Sequence, residues 1–230
     1  MAISPQDLRA LVLSFVYCAA AIGAAELIRK IRGYGDEFTR KLVHVTIGLW
    51  IIPTLLLFQS WYWAAALPAL AVVGNFLSQR MNILRGIERA DRHDFGTVFF
   101  PLSFVICIFA YFNSAYPVSA AAGIIPMALG DAAAAVVGNA FGRRPYTFLG
   151  AKKTLEGSAA MLVVSAVTVF TTLLIFKVSV PSCAIAACLI AAVATLLEAA
   201  GKNGLDNLTV PVVCSTIGYF LLRALEGVPQ

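Results

Sequence analysis

Eight apolar runs, at about 8–28, 42–58, 61–79, 96–113, 118–141, 158–176, 179–198 and 208–226, occupy most of this 230-residue chain. Each approaches the ~20 residues that a helix needs to cross ~30 Å of hydrocarbon. Surrounded by lipid, such a segment must satisfy its backbone polar groups internally, and a helix does so. The sequence therefore predicts an all-α, polytopic membrane bundle of about eight transmembrane helices, built as one domain over 1–230. Composition agrees, with 60% of residues hydrophobic and 13% charged, against roughly 25% charged in a typical soluble domain. The first run lacks a basic leader and a small-x-small cleavage site, so it reads as a mature helix rather than a signal peptide.

Loop charge orients the bundle. Fourteen cations fall in the connections on one side: Arg29, Lys30, Arg32, Arg40, Lys41, Arg80, Arg85, Arg89, Arg92, Arg143, Arg144, Lys152, Lys153 and Lys202. Three fall on the other, Arg9, Lys177 and Arg223. The positive-inside rule then makes the long loops cytoplasmic and puts both termini on the opposite side. The net charge of +5 is accounted for by this asymmetry and does not point to nucleic acid. The five cysteines lie inside apolar runs without a CxxC pair, as small core residues do. Segment 80–95 mixes charge signs and reads as a short surface helix with pairs such as Glu88–Arg92.

Polar residues at the cytoplasmic ends of the runs stand out. The stretch GDAAAAVVGNAFGRRPYTFLGAKKTLEG, from Gly130 to Gly157, sets Asp131 in a small-residue helix and follows it with Arg143, Arg144, Lys152 and Lys153. A charge within a span costs roughly 2.5–3.5 kcal/mol on insertion scales and by default marks function. The stripe Asp131, Gly138, Gly142 shares one helix face, and Gly138-x-x-x-Gly142 also suits close helix packing. The basic loop offers a polyphosphate both lysine point charges and arginine forks, or it anchors the helix to anionic lipid. Gly150 and Gly157 permit close backbone approach, and Thr154 and Glu156 sit beside them. The loop is not a Walker A motif, because no strand leads into it.

A second group, Arg40, Lys41, His44 and Gly48, opens the second run. Arg40 and Lys41 can snorkel, whereas His44 lies a turn deeper, where it could bind phosphate or relay a proton. A third group joins Glu198 to Asp206 and Asn207 across a tight loop. Asp206 could serve as a helix cap, and the set could also hold Mg²⁺, which takes one or two carboxylates plus substrate phosphates. All three groups fall on the side assigned to the cytoplasm. Their convergence implies a soluble anionic substrate meeting a lipid-soluble partner. A small transporter is the competing class, since an intramembrane Asp and Pro126 also suit an ion path.

The segments RKLVHVTIG (40–48), GDAAAAVVGNAFG…KKTLEG and GLDNLTVP (204–211) resemble the membrane-bound CTP-dependent lipid-alcohol kinases. That group comprises dolichol kinases, phytol kinases and CTP-type diacylglycerol kinases, and is distantly similar to phosphatidate cytidylyltransferases. The compact length and the DNLTVP ending look most similar to the phytol/farnesol kinases. The cytidylyltransferase signature near the C-terminus is not recognisable. The resemblance implies transfer of the γ-phosphoryl group of CTP to a prenyl alcohol with Mg²⁺. It implies catalytic roles for Asp131, His44 and Asp206. Nucleotide contacts would come from Arg40, Lys41, Gly138, Gly142, Arg143, Lys152, Lys153, Thr154 and Gly157. Metal or ribose contacts would come from Asp131, Glu156, Glu198, Asp206 and Asn207. Asp131 is either metal ligand or hydroxyl-orienting base. The alcohol is expected among spans two, five and eight, and dolichol or diacylglycerol is the alternative acceptor.

Overall fold

Lipid-length helices dominate the computed structural model, which describes residues 2–33, 35–81 and 94–227. The mixed-charge segment expected to form a surface helix lies mostly at 82–93, outside the described residues. In chain order the helices are α1 (Pro5–Arg32), α2 (Asp36–Leu49), α3 (Ile51–Leu57), α4 (Trp61–Ala64), α5 (Ala66–Met81), α6 (Gly96–Tyr111), α7 (Val118–Ile125) and α8 (Asp131–Phe141). A hairpin of β1 (Pro145–Phe148) and β2 (Ala151–Thr154) follows, then α9 (Leu155–Ile175), α10 (Val180–Ala200) and α11 (Asp206–Glu226). Among the described residues seven helical stretches are long and apolar enough to cross a membrane, with α2–α3, α4–α5 and α7–α8 each counting as one.

The eighth apolar run is α6, which is shorter at 16 residues, about 24 Å at helical rise. It and the residues that flank it are nonetheless tied to α11 and its ends. At one end the N–H of Phe95 donates to the Asn203 carbonyl at 3.2 Å, and Gly96 packs on Gly204 so closely that neither position has room for a Cβ. Gly204 also holds φ at +76°, in the left-handed region that glycine adopts without strain. At the other end Tyr111 Oη meets Thr216 Oγ1 at 2.8 Å and Tyr116 Oη donates to the Gly227 carbonyl at 2.7 Å.

The α7–α8 run is the centre of the bundle, and every residue of α7 is buried. Its small residues are what admit its neighbours. A Cβ at Gly123 would overlap the Pro211 carbonyl and Ser215 of α11, and one at Gly130 would overlap Ser165 and Met161 of α9. Further along, a Cβ at Gly157 would lie 2.9 Å from the Ala134 carbonyl and 3.4 Å from Gly138 Cα. Gly123→Ala is therefore expected to destabilise the protein by about 1–3 kcal/mol, the usual cost of overpacking. Thermal unfolding in detergent would show it, while Gly23→Ala, with nothing within 4 Å, should leave the midpoint unchanged.

The sequence predicts one unbroken helix over 118–141. Instead, a π-helical turn at Pro126–Gly130 separates α7 from α8. Proline has no N–H and crowds the preceding turn, and a wider turn accommodates it. Such turns often mark functional positions in helices. Here the turn receives α2, because a Cβ at Gly48 would overlap that of Ala128.

The expected basic loop is in fact an antiparallel hairpin, the one departure from all-α among the described residues. Phe148 pairs with Ala151, Thr147 with Lys152, Tyr146 with Lys153 and Pro145 with Thr154. Its two-residue turn places Leu149 and Gly150 at φ +48° and +85°, both positive as a type I′ turn requires.

The opposite end of the bundle is stitched by a carboxylate that the sequence reading did not single out. Asp7 is fully buried and accepts from the N–H groups of Gln59 (2.8 Å) and Ser60 (3.3 Å) and from Ser60 Oγ (2.8 Å). This fixes the tight α3–α4 connection. All five cysteines are free thiols; Cys107, Cys183 and Cys214 are buried in the core, whereas Cys18 is half-buried and Cys188 exposed, so these two are not the core residues the sequence reading made them.

Candidate active site at one end of the bundle

Three of the sequence groups meet at the end opposite Asp7. Asp131, the first residue of α8, pairs with Lys41 of α2, and both side chains are 11% exposed. Lys153 of β2 pairs with Glu198 near the end of α10. The two pairs are neighbours, since Asp131 interacts electrostatically with Lys153 and His44, and Glu198 with Asp131 and Asp206. Buried ion pairs recover little more than their desolvation cost, so this arrangement is weak evidence for stability. It does hold opposite charges ready beside one another.

His44 joins that cluster to an apolar cavity. Its ring stacks on Phe100 at 3.7 Å, the backbone of Met127 in the π turn is its hydrogen-bond partner, and its Nε2 is buried without a partner. The cavity is about 510 Å³ and is lined by α1 to α6. Arg40, His44, Asn75, Thr97 and Asn207 are among its polar lining residues, and Phe58, Ala64 and Phe104 among its apolar ones. Arg40 reaches Glu37 Oε1 at 2.6 Å and keeps Nε buried without a partner. Asn207 donates from Nδ2 to the Gly204 carbonyl at 3.3 Å and to Asp206 Oδ1 at 3.4 Å.

The cavity lies elsewhere than the set of spans two, five and eight among which the sequence reading placed the alcohol. Spans one to four line it, span eight contributes Asn207, and no lining residue comes from 118–141. The physical reason is that the central run is sealed by its own small-residue contacts. The looser outer helices leave room between them.

The hairpin divides the two lysines that the sequence grouped together. Neighbouring strand residues point to opposite faces. Lys153 shares a face with Tyr146, whose Oη meets Ser158 Oγ at 2.6 Å, so that face looks onto the helices. Lys152 pairs with Thr147 on the other face and is exposed. Arg143 is exposed as well.

Several other expected site residues make structural contacts in this fold. Thr154 caps α9, its Oγ1 accepting from the Gly157 N–H at 3.1 Å. Glu156 Oε2 accepts from the backbone N–H groups of Arg143 (3.2 Å) and Arg144 (3.3 Å), bracing the foot of the hairpin. Gly138 and Gly157 form the α8–α9 crossing, and Gly142 ends α8 with its N–H on the Gly138 carbonyl. Glu156 thus stands apart from Asp131, Glu198 and Asp206. Among the described residues no three His, Cys, Asp or Glu side chains gather as a metal cage. Asp206 packs over Gly201, where a Cβ would lie 2.8 Å from its carboxyl carbon.

Comparison with known proteins adds an independent line. The cytidylyltransferase family matches residues 3–202, ending before α11. A phytol kinase from Synechocystis sp. is 34% identical over 213 residues, covering 90% of this chain and 89% of the relative. No solved structure matches. With the family matched from the first span to Lys202 and that relative aligned almost end to end, the chain belongs to the cytidylyltransferase family.

Proposed function

We propose that the protein is a membrane-embedded kinase that transfers the γ-phosphoryl group of CTP to a prenyl alcohol of the phytol or farnesol class, at the cytoplasmic face. One observation carries this reading: an apolar cavity is lined by His44, whose buried Nε2 is unpartnered and which sits beside the Lys41–Asp131 pair, itself a neighbour of Lys153–Glu198. A lipid tail fits the cavity, and a triphosphate fits the charged side. The similarity to a phytol kinase supports the same chemistry.

In this reading the alcohol lies with its hydroxyl at His44. Its oxygen attacks the γ-phosphorus, the bond to the β-bridging oxygen breaks, and CDP departs. The hydroxyl proton passes to Nε2 of His44, and Asp131 opposes the positive charge the ring gains. Lys41 and Lys153, each held by its carboxylate, face the phosphates, since phosphoryl transfer depends on positioning and charge neutralisation. Arg40 and Asn207, polar residues of the cavity lining, hold the reacting oxygen.

Mg²⁺ fits here as an ion that arrives with the nucleotide, not as a resident of a protein cage. Glu198 is 2% exposed, and its Oε2 is buried without a hydrogen-bond partner. With Asp131, and with Asp206 nearby, it would supply the one or two carboxylates that Mg²⁺ combines with substrate phosphates. An ion held by these carboxylates would supply charge neutralisation to the substrate phosphates.

The test is a panel of purified-protein assays combining CTP, ATP, GTP and UTP with phytol, farnesol, dolichol and diacylglycerol. Phosphorylation of phytol or farnesol with CTP as preferred donor supports the reading. Preference for dolichol or diacylglycerol would replace the acceptor. Absence of nucleotide consumption with every alcohol would remove the kinase assignment and favour a transporter.

A further inference from the structure

We propose that Asp94 is a positioning residue for phosphate transfer: it holds the first turn of α6 against the α10–α11 loop and so sets the amide of Asn207 at the reacting hydroxyl. The proposal rests on the kinase reading for what Asn207 contacts. The clasp itself stands on the geometry of the loop.

Asp94 lies just before α6 and is 8% exposed. Its Oδ1 accepts from the Gly96 N–H at 2.9 Å, one of the donors that the first turn of a helix leaves without a helical partner. Its backbone carbonyl accepts from Gln79 Nε2 of α5 at 3.0 Å. One turn back along α5, Asn75 Nδ2 donates to the Thr97 carbonyl at 2.7 Å. Two amides of α5 and one carboxylate thus fix where α6 begins. The Phe95 N–H then ties that start to the Asn203 carbonyl.

These contacts press Gly96 onto the loop that carries Asn207. A Cβ at Gly96 would lie 2.9 Å from Asp94 Oδ1, 2.9 Å from Asn207 Nδ2 and 3.4 Å from Gly204 Cα. A Cβ at Gly204 would lie 2.3 Å from the Gly96 nitrogen and 2.6 Å from Asp94 Oδ1. The carboxylate is therefore part of the same crossing that the two glycines make, and Asn207 meets it at Gly96.

Asn207 depends on that crossing for its place. Its Nδ2 contacts, to the Gly204 carbonyl at 3.3 Å and to Asp206 Oδ1 at 3.4 Å, are longer than ordinary N–H···O bonds. They hold the amide less firmly than the close packing at Gly96 does. Asn207 and Gly96 both line the cavity, so a shift of the clasp moves the amide relative to a hydroxyl bound there. Asp94 itself is not a lining residue and acts through its neighbours.

The test compares Asp94→Ala, Asp94→Asn, Asn207→Ala and the double variant Asp94→Ala/Asn207→Ala, each purified, with folding followed by thermal unfolding. Asp94→Ala should lower kcat by about tenfold to a hundredfold, the scale for a reacting group misplaced by up to about 1 Å, with the KM for CTP unchanged. Asp94→Asn keeps an acceptor for the Gly96 N–H and should retain most of the wild-type kcat. Asn207→Ala should itself lower kcat, and the double variant should be no worse, because residues that act through one another are not additive. Gly96→Ala pushes on the Asn207 amide directly, and it carries the test through the same fall in kcat if Asp94→Ala does not fold. Wild-type kcat in Asp94→Ala, equal losses in Asp94→Asn and Asp94→Ala, or additive losses in the double variant would overturn the positioning role alone. Absence of phosphate transfer by wild type with every alcohol would overturn the kinase reading and this role with it.

Discussion

Asp131→Asn is expected to reduce phosphoryl transfer by at least about a hundredfold, the lower range for losing a group that acts on proton transfer. The amide keeps the shape but cannot balance the charge that His44 gains, nor bind a cation. The structure adds a complication that the sequence alone did not reveal, since the same carboxylate neutralises Lys41. Breaking one side of a buried pair costs about 3–5 kcal/mol, because the remaining charge is left uncompensated. The single variant should therefore lose thermal stability as well as activity. The double variant Asp131→Asn/Lys41→Met removes both charges and should regain most of the stability while remaining inactive. Recovery of activity together with stability would make the pair a folding element and take Asp131 out of the chemistry.

The second large effect is expected at Lys153 and not at its neighbour. Lys153→Gln should raise the apparent KM for CTP by at least about tenfold, since charge-assisted contacts to phosphate contribute about 1.5–3 kcal/mol each. Lys152→Gln should change it by less than about threefold, because the hairpin turns Lys152 away from the helices into solvent. The KM for the alcohol should stay near wild type in both. Steady-state titration of CTP against the two purified variants measures the contrast. Equal effects at the two lysines would mean that the loop acts through bulk positive charge, as a lipid anchor does.

Why the sequence reaches some of this and not the rest is visible in particular residues. Hydrophobic run length and loop charge report directly on what lipid and water demand of each segment. The helical segments and the gathering of Lys41, His44, Asp131, Lys153, Glu198 and Asp206 at one end could therefore be anticipated. Pairings across space could not. Lys41 and Asp131 are 90 residues apart, and no periodicity links them. The hairpin was hidden because the cations of RRPYTFLGAKK dominate its pattern, and a Leu-Gly turn is a weak hairpin signal beside Asn-Gly. The structural roles of Thr154, Gly157 and Glu156 were not legible, because caps, close crossings and braces use the same residue types as the nucleotide and metal contacts the sequence suggests at those positions. Asp7 had a legible signal, an acid at the start of an apolar run. It lay at the end of the chain's topology where no other charges converged.

The family match leaves two reactions on a lipid hydroxyl or phosphate to be separated: transfer of a phosphoryl group and transfer of a cytidylyl group. The position of the label in CTP decides between them. Purified protein with phytol and Mg²⁺ would be given CTP labelled at either the γ- or the α-phosphate, and the lipid product counted. Phosphoryl transfer predicts that γ-label enters the lipid, that α-label stays in released CDP, and that His44→Ala abolishes the signal. Appearance of α-label in the lipid with release of pyrophosphate would contradict the proposed reaction.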